Sequence, residues 1–315
     1  MNLTNKLYIY ITAIVQKNVV IEISVSKRAF FLKQNINNLY FKIILTFPFM
    51  IYTFFRYWLF KTSKDILMSS FELVVSKKCN LSCEGCATLM DLYENPQNMD
   101  IHQITEDLFN FLDLIYYVEE VRLLGGEPFL NRSLSYLLEN IFSNKNVLNK
   151  IGHIRFTTNG TVIPDEKTIS SLKKYKHKII ISVTNYGEIS KKIIKTLEDN
   201  DINFVFSVED EWYDRGDLKK KNRNIHELNK LFDICSAKSC NTLLDGKFYL
   251  CPIQAHGINI SKIHNDGNFL DLRSNDSKEF KINKLKKLKL LTYIDACDYC
   301  DWPLRKVLTT KKELL

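Results

Sequence analysis

From Phe71 to Val208 short apolar runs alternate with longer stretches whose apolar positions recur every three to four residues. Phe71–Val75 reads as a strand, and Ile104–Tyr117 as a helix carrying Leu108, Phe111, Leu112 and Ile115 on one face. Val121–Leu124, Ile151–Thr157, Lys178–Thr184 and Asn203–Val208 continue the strands; Leu134–Phe142, Glu166–Lys174 and Ser190–Asn200 are the helices between them. Alternation of this kind implies an α/β fold with a parallel sheet, open or closed into a barrel. Such sheets carry their chemistry at the C-terminal ends of the strands. After Trp212 the alternation stops. Leu243–Leu250 contains Asp245-Gly246, a strong hairpin turn, and a basic helix over Glu279–Leu291 leads to a final cysteine pair.

Upstream of Phe71 the pattern differs. Leu7–Val15 and Val19–Ser26 flank a Gln16-Lys17-Asn18 break and read as a hairpin. Leu39–Phe60 is rich in Phe, Ile and Tyr, but its uncharged core, Ile43–Phe55, contains Pro48 and falls short of the about 20 apolar residues of a spanning helix. Lys42, Arg56 and Lys61 beside Tyr52 and Trp58 suit a helix lying in a membrane interface; a buried helix is the alternative. The expected organisation is an N-terminal extension over 1–66, a core domain over 67–225 and a cysteine-rich module over 226–315.

Composition alters this picture little. Charged residues are 25% and hydrophobic residues 45% of 315, an ordinary globular balance. The net charge of +8 suits an anionic partner, but much of the excess lies in the runs Lys219–Lys221 and Lys284–Lys289, which read as solvated faces; no nucleic-acid partner is expected. The eight cysteines change more, because three fall between Cys79 and Cys86 and five between Cys235 and Cys300. Met1–Ser26 lacks the ordered basic start, apolar stretch and cleavage site of a secretory signal. The expectation is a reducing cytoplasm, where clustered thiols serve as metal ligands rather than disulfides.

Cys79-Asn80-Leu81-Ser82-Cys83-Glu84-Gly85-Cys86 follows directly on the first strand. A structural zinc site takes four ligands, whereas three thiolates on a 4Fe–4S cluster leave one iron open to a substrate or cofactor. The second strand ends in Gly125-Gly126-Glu127-Pro128, the third in Thr157-Thr158-Asn159-Gly160-Thr161 and the fourth in Ser182-Val183-Thr184-Asn185. Glycines at a strand end permit close approach to the backbone. An acid there can hold an ammonium, and short hydroxyl and amide side chains suit ribose hydroxyls.

In the order of these motifs, the sequence resembles the radical S-adenosylmethionine (SAM) superfamily over roughly Phe71–Val208. The resemblance implies a partial (β/α) barrel, a 4Fe–4S cluster on Cys79, Cys83 and Cys86, and a methionine amine held at Gly125, Gly126 and Glu127. It places Asn159, Ser182 and Thr184 near the cofactor's carboxylate or ribose. Gly85 stands where the family often has an aromatic residue, which leaves the adenine contact open. The implied chemistry is reductive cleavage of S-adenosylmethionine to a 5′-deoxyadenosyl radical that takes hydrogen from the substrate, with electrons from a donor such as flavodoxin or ferredoxin.

Cys240, Cys251, Cys297 and Cys300 can make a four-thiolate site, which alone would read as a zinc ribbon. Beside a radical domain it resembles the twitch module, the shorter relative of the SPASM module, with one auxiliary 4Fe–4S cluster. Cys235 competes with Cys240 for a place in it. Asp214 and Arg215, in an aromatic and charged stretch from Glu211 to Asp217, are candidate catalytic residues, and His256 a candidate proton carrier. The leading expectation is oxidation of a hydroxyl-bearing carbohydrate or cyclitol. The alternatives are a SPASM-type maturase acting on peptides and a non-catalytic zinc-binding adaptor.

Overall fold

The first strand, β1 (Leu67–Ser76), is buried on both faces. Phe71 meets the edge of Phe111 with ring centroids 4.9 Å apart, and Phe111 stacks on Phe248 at 4.5 Å. Val74, on the opposite face, packs with Leu244, Tyr249 and Ala255. Each such buried side chain contributes about 1.5–3 kcal/mol, so β1 is the strand on which two layers close. The computed structural model describes residues 65–184, 186–207, 212–304, 307–308 and 312–314. The expected hairpin at 7–26 and the apolar segment 39–60 lie outside the described residues. Among the described residues no helix is long and apolar enough to cross a membrane.

Helix α1 (Ile101–Leu114) begins three residues before the expected start, because the Asp100 carboxylate accepts the His102 N–H and caps it. It stops at Leu114, and strand β3 (Tyr117–Gly125) starts well ahead of the expected Val121. Glu119, Glu120 and Arg122 concealed that strand from its hydrophobic pattern; Glu120 and Arg122 pair with each other, which removes the cost of burying them. Strands β4 (Ile151–Thr158), β5 (Ile179–Thr184) and β6 (Phe204–Ser207) follow in parallel, alternating with helices α2 (Leu134–Ser143), α3 (Glu166–Lys174) and α4 (Lys191–Asp199).

Beyond β6 two helices appear that the sequence pattern did not announce, α5 (Ile225–Ile234) and α6 (Pro252–Asn259). The hairpin at Asp245-Gly246 is β8 (Thr242–Leu244) and β9 (Lys247–Tyr249); β10 (Leu270–Asp271) and the basic helix α7 (Lys278–Leu288) follow. The hairpin joins the main sheet, with Glu72 of β1 opposite Thr242 in parallel register. The sheet therefore has eight strands in the order β10-β9-β8-β1-β3-β4-β5-β6, an open, largely parallel half-barrel. Residues 68–315 form one compact unit, so the sheet runs unbroken past the boundary expected at 226. Two short pairings complete the picture. β2 (Leu81–Cys83), inside the cysteine loop, lies antiparallel to β12 (Lys312–Leu314), and β7 (Trp212–Tyr213) pairs with β11 (Val307–Leu308).

Candidate active site and metal centres

The loop after β1 is held by the end of β3. Gly126 N–H donates to Ser76 O at 2.9 Å, and Glu127 N–H to Lys78 O at 2.8 Å. A Cβ at Gly125 would lie 2.0 Å from Ser76 O, and one at Gly126 2.1 Å from Lys78 O. Gly125 also has φ +146°, a region L side chains avoid. The glycines thus first let β3 lie against the root of the cysteine loop.

Glu127 is fully buried. Its carboxylate accepts from Phe129 N–H (3.1 Å), Asn159 N–H (2.8 Å) and the Thr158 hydroxyl (2.8 and 2.9 Å). Burial pushes it up to about 7, while these three donors pull the other way. It is a clasp between β3 and β4 rather than an acid offered outward. Asn159 carries the clasp to the loop, donating through Nδ2 to Asn80 Oδ1 at 3.0 Å and to Cys79 Sγ at 3.7 Å. Cys86 Sγ lies 3.3 Å from the Thr88 hydroxyl, which donates to Gly125 O. Burial pushes the Cys79 thiol up to about 11, with Cys86 and Glu127 adding to the effect. Ser182 and Thr184, both half-buried, lie on β5 on the face that Thr157 shares.

Arg215 belongs to the same site. It is buried and pairs with Asp91 at 2.7 Å, with Nη1 3.4 Å from Cys86 O. Its Nε is buried without a partner. Asp214 instead caps its own turn, accepting from Gly216 N–H. His256 is elsewhere. It is fully buried beside Tyr93, whose hydroxyl lies 2.8 Å from Nδ1 and also donates to Asn259. Burial and the Lys77 charge lower it to about 3, and its contacts are those of an imidazole packed edge-on against Tyr93. Thr88, Asp91 and Thr158 were missed by sequence reasoning; only Thr158, inside the strand-end motif, offered a signal.

The second set of thiols separates the two candidates, Cys235 and Cys240. Cys235, Cys251, Cys297 and Cys300 ring one apolar cavity closed by Leu231, Ile253 and Trp302. Cys240 lies apart, next to Glu72 and Arg122. It leads into β8, and pairing with β1 carries it into the sheet and away from the ring. Gln254 N–H donates to Cys251 Sγ and Trp302 N–H to Cys300 Sγ, the kind of contact that tunes a bound cluster. Arg223 holds the Cys297 and Cys300 carbonyls at 2.9 and 3.0 Å. Burial pushes Cys297 to about 11 and Cys300 to about 12, so metal binding must supply the positive charge that ionises them. Among the described residues no three His, Cys, Asp or Glu side chains converge at single-ion distance. Four thiols on one apolar cavity are enough to ligate an auxiliary 4Fe–4S cluster fully.

Residues 73–204 match the sequence model of the radical SAM superfamily, and this stretch of the chain is a radical SAM domain. Such a domain binds a 4Fe–4S cluster and S-adenosylmethionine, and the three loop thiols with their N–H and O–H donors fit the cluster. GTP 3′,8-cyclase of Clostridium acetobutylicum is 30% identical over 132 residues, covering 38% of this chain and 39% of the relative. The probable GTP 3′,8-cyclase of Methanococcus vannielii is 32% identical over 105 residues, covering 33% of this chain and 32% of its own. The match thus spans about a third to two-fifths of these relatives' length. Among solved structures, BtrN in complex with AdoMet and 2-DOIA covers 75% of this chain and 94% of its own at 16% identity and a TM-score of 0.46. Native anSMEcpe with bound AdoMet and Cp18Cys peptide covers 45% of this chain and 42% of its own at 20% identity and a TM-score of 0.35.

Proposed function

We propose that this radical SAM enzyme oxidises a hydroxyl-bearing carbohydrate or cyclitol, with one cluster on Cys79, Cys83 and Cys86 and an auxiliary cluster on Cys235, Cys251, Cys297 and Cys300. When bound, the first cluster with S-adenosylmethionine supplies a 5′-deoxyadenosyl radical, and a fully ligated second cluster supplies a one-electron acceptor. The observation that carries the reading is the convergence of four thiols on one apolar cavity. A closed cluster has no open iron for a substrate, which suits it to electron transfer.

The chain's own residues prepare this chemistry. The Glu127 clasp fixes β3 and β4 at the level of the loop, and the Arg215–Asp91 pair braces the Cys86 carbonyl. Ser182 and Thr184 offer hydroxyls to a ribose on the half-barrel's concave face. An external reductant such as flavodoxin or ferredoxin supplies the first electron.

A carbonyl lies two electrons above the alcohol. The 5′-deoxyadenosyl radical takes up one hydrogen atom and becomes 5′-deoxyadenosine, so one electron and one proton must leave through the protein. The test measures 5′-deoxyadenosine against product: an equal yield with a ketone or aldehyde product is expected. Product isomeric with substrate and carrying solvent deuterium would replace oxidation by epimerisation. The similarity to proteins named GTP 3′,8-cyclase motivates a second reading, in which GTP is the substrate. GTP-stimulated formation of 5′-deoxyadenosine and consumption of GTP would establish it.

A further inference from the structure

A charged cluster lines the concave face of the half-barrel, apart from both cysteine sites. β3 and β4 pair with Glu120 opposite His153 and Arg122 opposite Arg155. Side chains alternate along a strand, so these four share a face with Thr157, itself opposite Ser182 of β5. Their chain neighbours Val121, Leu123, Ile154 and Phe156 are buried on the other face. Arg122 and Arg155 both bind Glu120 through Nε, at 2.5 and 2.6 Å. Their terminal Nη groups have no hydrogen-bond partner among the described residues, and the side chains are 34% and 27% exposed.

His153 Nε2 lies 2.7 Å from Glu120, while its Nδ1 is buried with no partner. Burial alone would raise Glu120, but the His153 hydrogen bond and the charges of Arg155, His153 and Arg122 hold it well below the usual carboxylate range. An ionised carboxylate cannot donate, so Nε2 carries the hydrogen of this bond, and Nδ1 is the ring atom left for a ligand. Two permanent cations thus face one firmly ionised carboxylate. Glu72, the other carboxyl that acts on Arg122 among the described residues, is raised to about 7 by burial and supplies only part of a second charge.

We propose that this face holds the anionic end of a phosphate- or carboxylate-bearing polyol, gripped by the free forks of Arg122 and Arg155 while a hydroxyl hydrogen-bonds His153 Nδ1. Guanidinium forks match both anions with paired hydrogen bonds. Arg122 lies three residues along β3 from Gly125, about 10 Å at about 3.3 Å per residue, so the grip falls one small sugar away from the cofactor motif. The proposal rests on the preceding reading only for placing the substrate over this face.

The test uses the holoenzyme with both clusters loaded, titrated with inorganic phosphate and separately with acetate, binding being followed by calorimetry. Phosphate or acetate is expected to bind wild type; the tighter of the two identifies the anion. Arg122→Gln and Arg155→Gln should each weaken it by about tenfold to a hundredfold. Arg155→Lys keeps the charge beside Glu120 but not the fork, and should lose affinity with iron content and melting temperature unchanged. Lys284→Gln/Lys287→Gln, on the basic surface helix, should bind as wild type. Failure of both anions to bind wild type, or equal binding by the arginine variants, overturns the proposal. Background cleavage of S-adenosylmethionine by dithionite should persist in the arginine variants, which separates a failed anion site from a failed radical enzyme.

Discussion

Cys235 and Cys240 stand one short turn apart, yet the fold sends them to different places. Cys235 caps the C-terminal end of α5 at the rim of the thiol cavity, whereas Cys240 is drawn toward the sheet by β8 and rests against Glu72. Cys235→Ala is expected to lose the second site's iron, about half the total if each site holds four irons, and Cys240→Ala to lose none. Iron and sulfide per chain, measured anaerobically, decide it; the reverse pattern would return Cys240 to the ligand set. Glu72 supports a second prediction. Burial raises it from 4.5 to about 7, so the folded chain holds a proton that the unfolded chain has released. The stability this lends is complete below about 4.5 and is lost as pH climbs through 7, at a slope of up to about 1.4 kcal/mol per unit. Urea midpoints should fall between pH 5 and 7, and Glu72→Gln should flatten that fall. An unchanged slope would show Glu72 ionised throughout.

At the scale of elements, β2 ties the cysteine loop to the C-terminal segment. Lys312 lies opposite Cys83 and Leu314 opposite Leu81, so β12 supplies the backbone partners of the loop bearing the first three thiols. Deleting residues 309–315 should leave that loop unpaired. A chelator should then strip iron from the first site at least several-fold faster while the second site keeps its own, as two separable phases of release. A single unchanged rate would show that the loop holds its shape alone. This pairing was not legible in the sequence, because local pattern carries no long-range register. The alternating strands and helices were legible, and Glu166–Lys174 was read with its observed ends. α5 had a readable signal in its Asn224 and Glu227 capping box. α6 had only Pro252 in its first turn, because Pro252 to Gly257 are all buried and a helix buried all round shows no polar stripe.

For the whole molecule, the order of motifs along the strands disclosed the radical domain and its three thiols, since that chemistry sits at strand ends and strand order is sequence order. The charged concave face was hidden for the opposite reason: Glu120, Arg122, His153 and Arg155 look like interruptions of strands until their register is known. Nor did the sequence disclose how the cysteine-rich part is fastened. Thr242 bonds Glu72 at 3.0 Å, Lys77 pairs with Asp245 at 2.7 Å, and Arg273 grips Asp107 through two nitrogens at 3.0 and 2.7 Å. The joint between β1 and β8 also sets a clock. Glu72 and Thr242 are 170 residues apart, and at about 5–20 residues per second a ribosome needs roughly 10–35 s to travel between them. Throughout that interval β1 lacks β8, its neighbour on that edge among the described residues, and an uncovered strand edge invites pairing with other chains. Slower translation across this stretch is therefore expected to lower the share of newly made chain that reaches the folded state, read as the soluble fraction of a pulse-labelled batch.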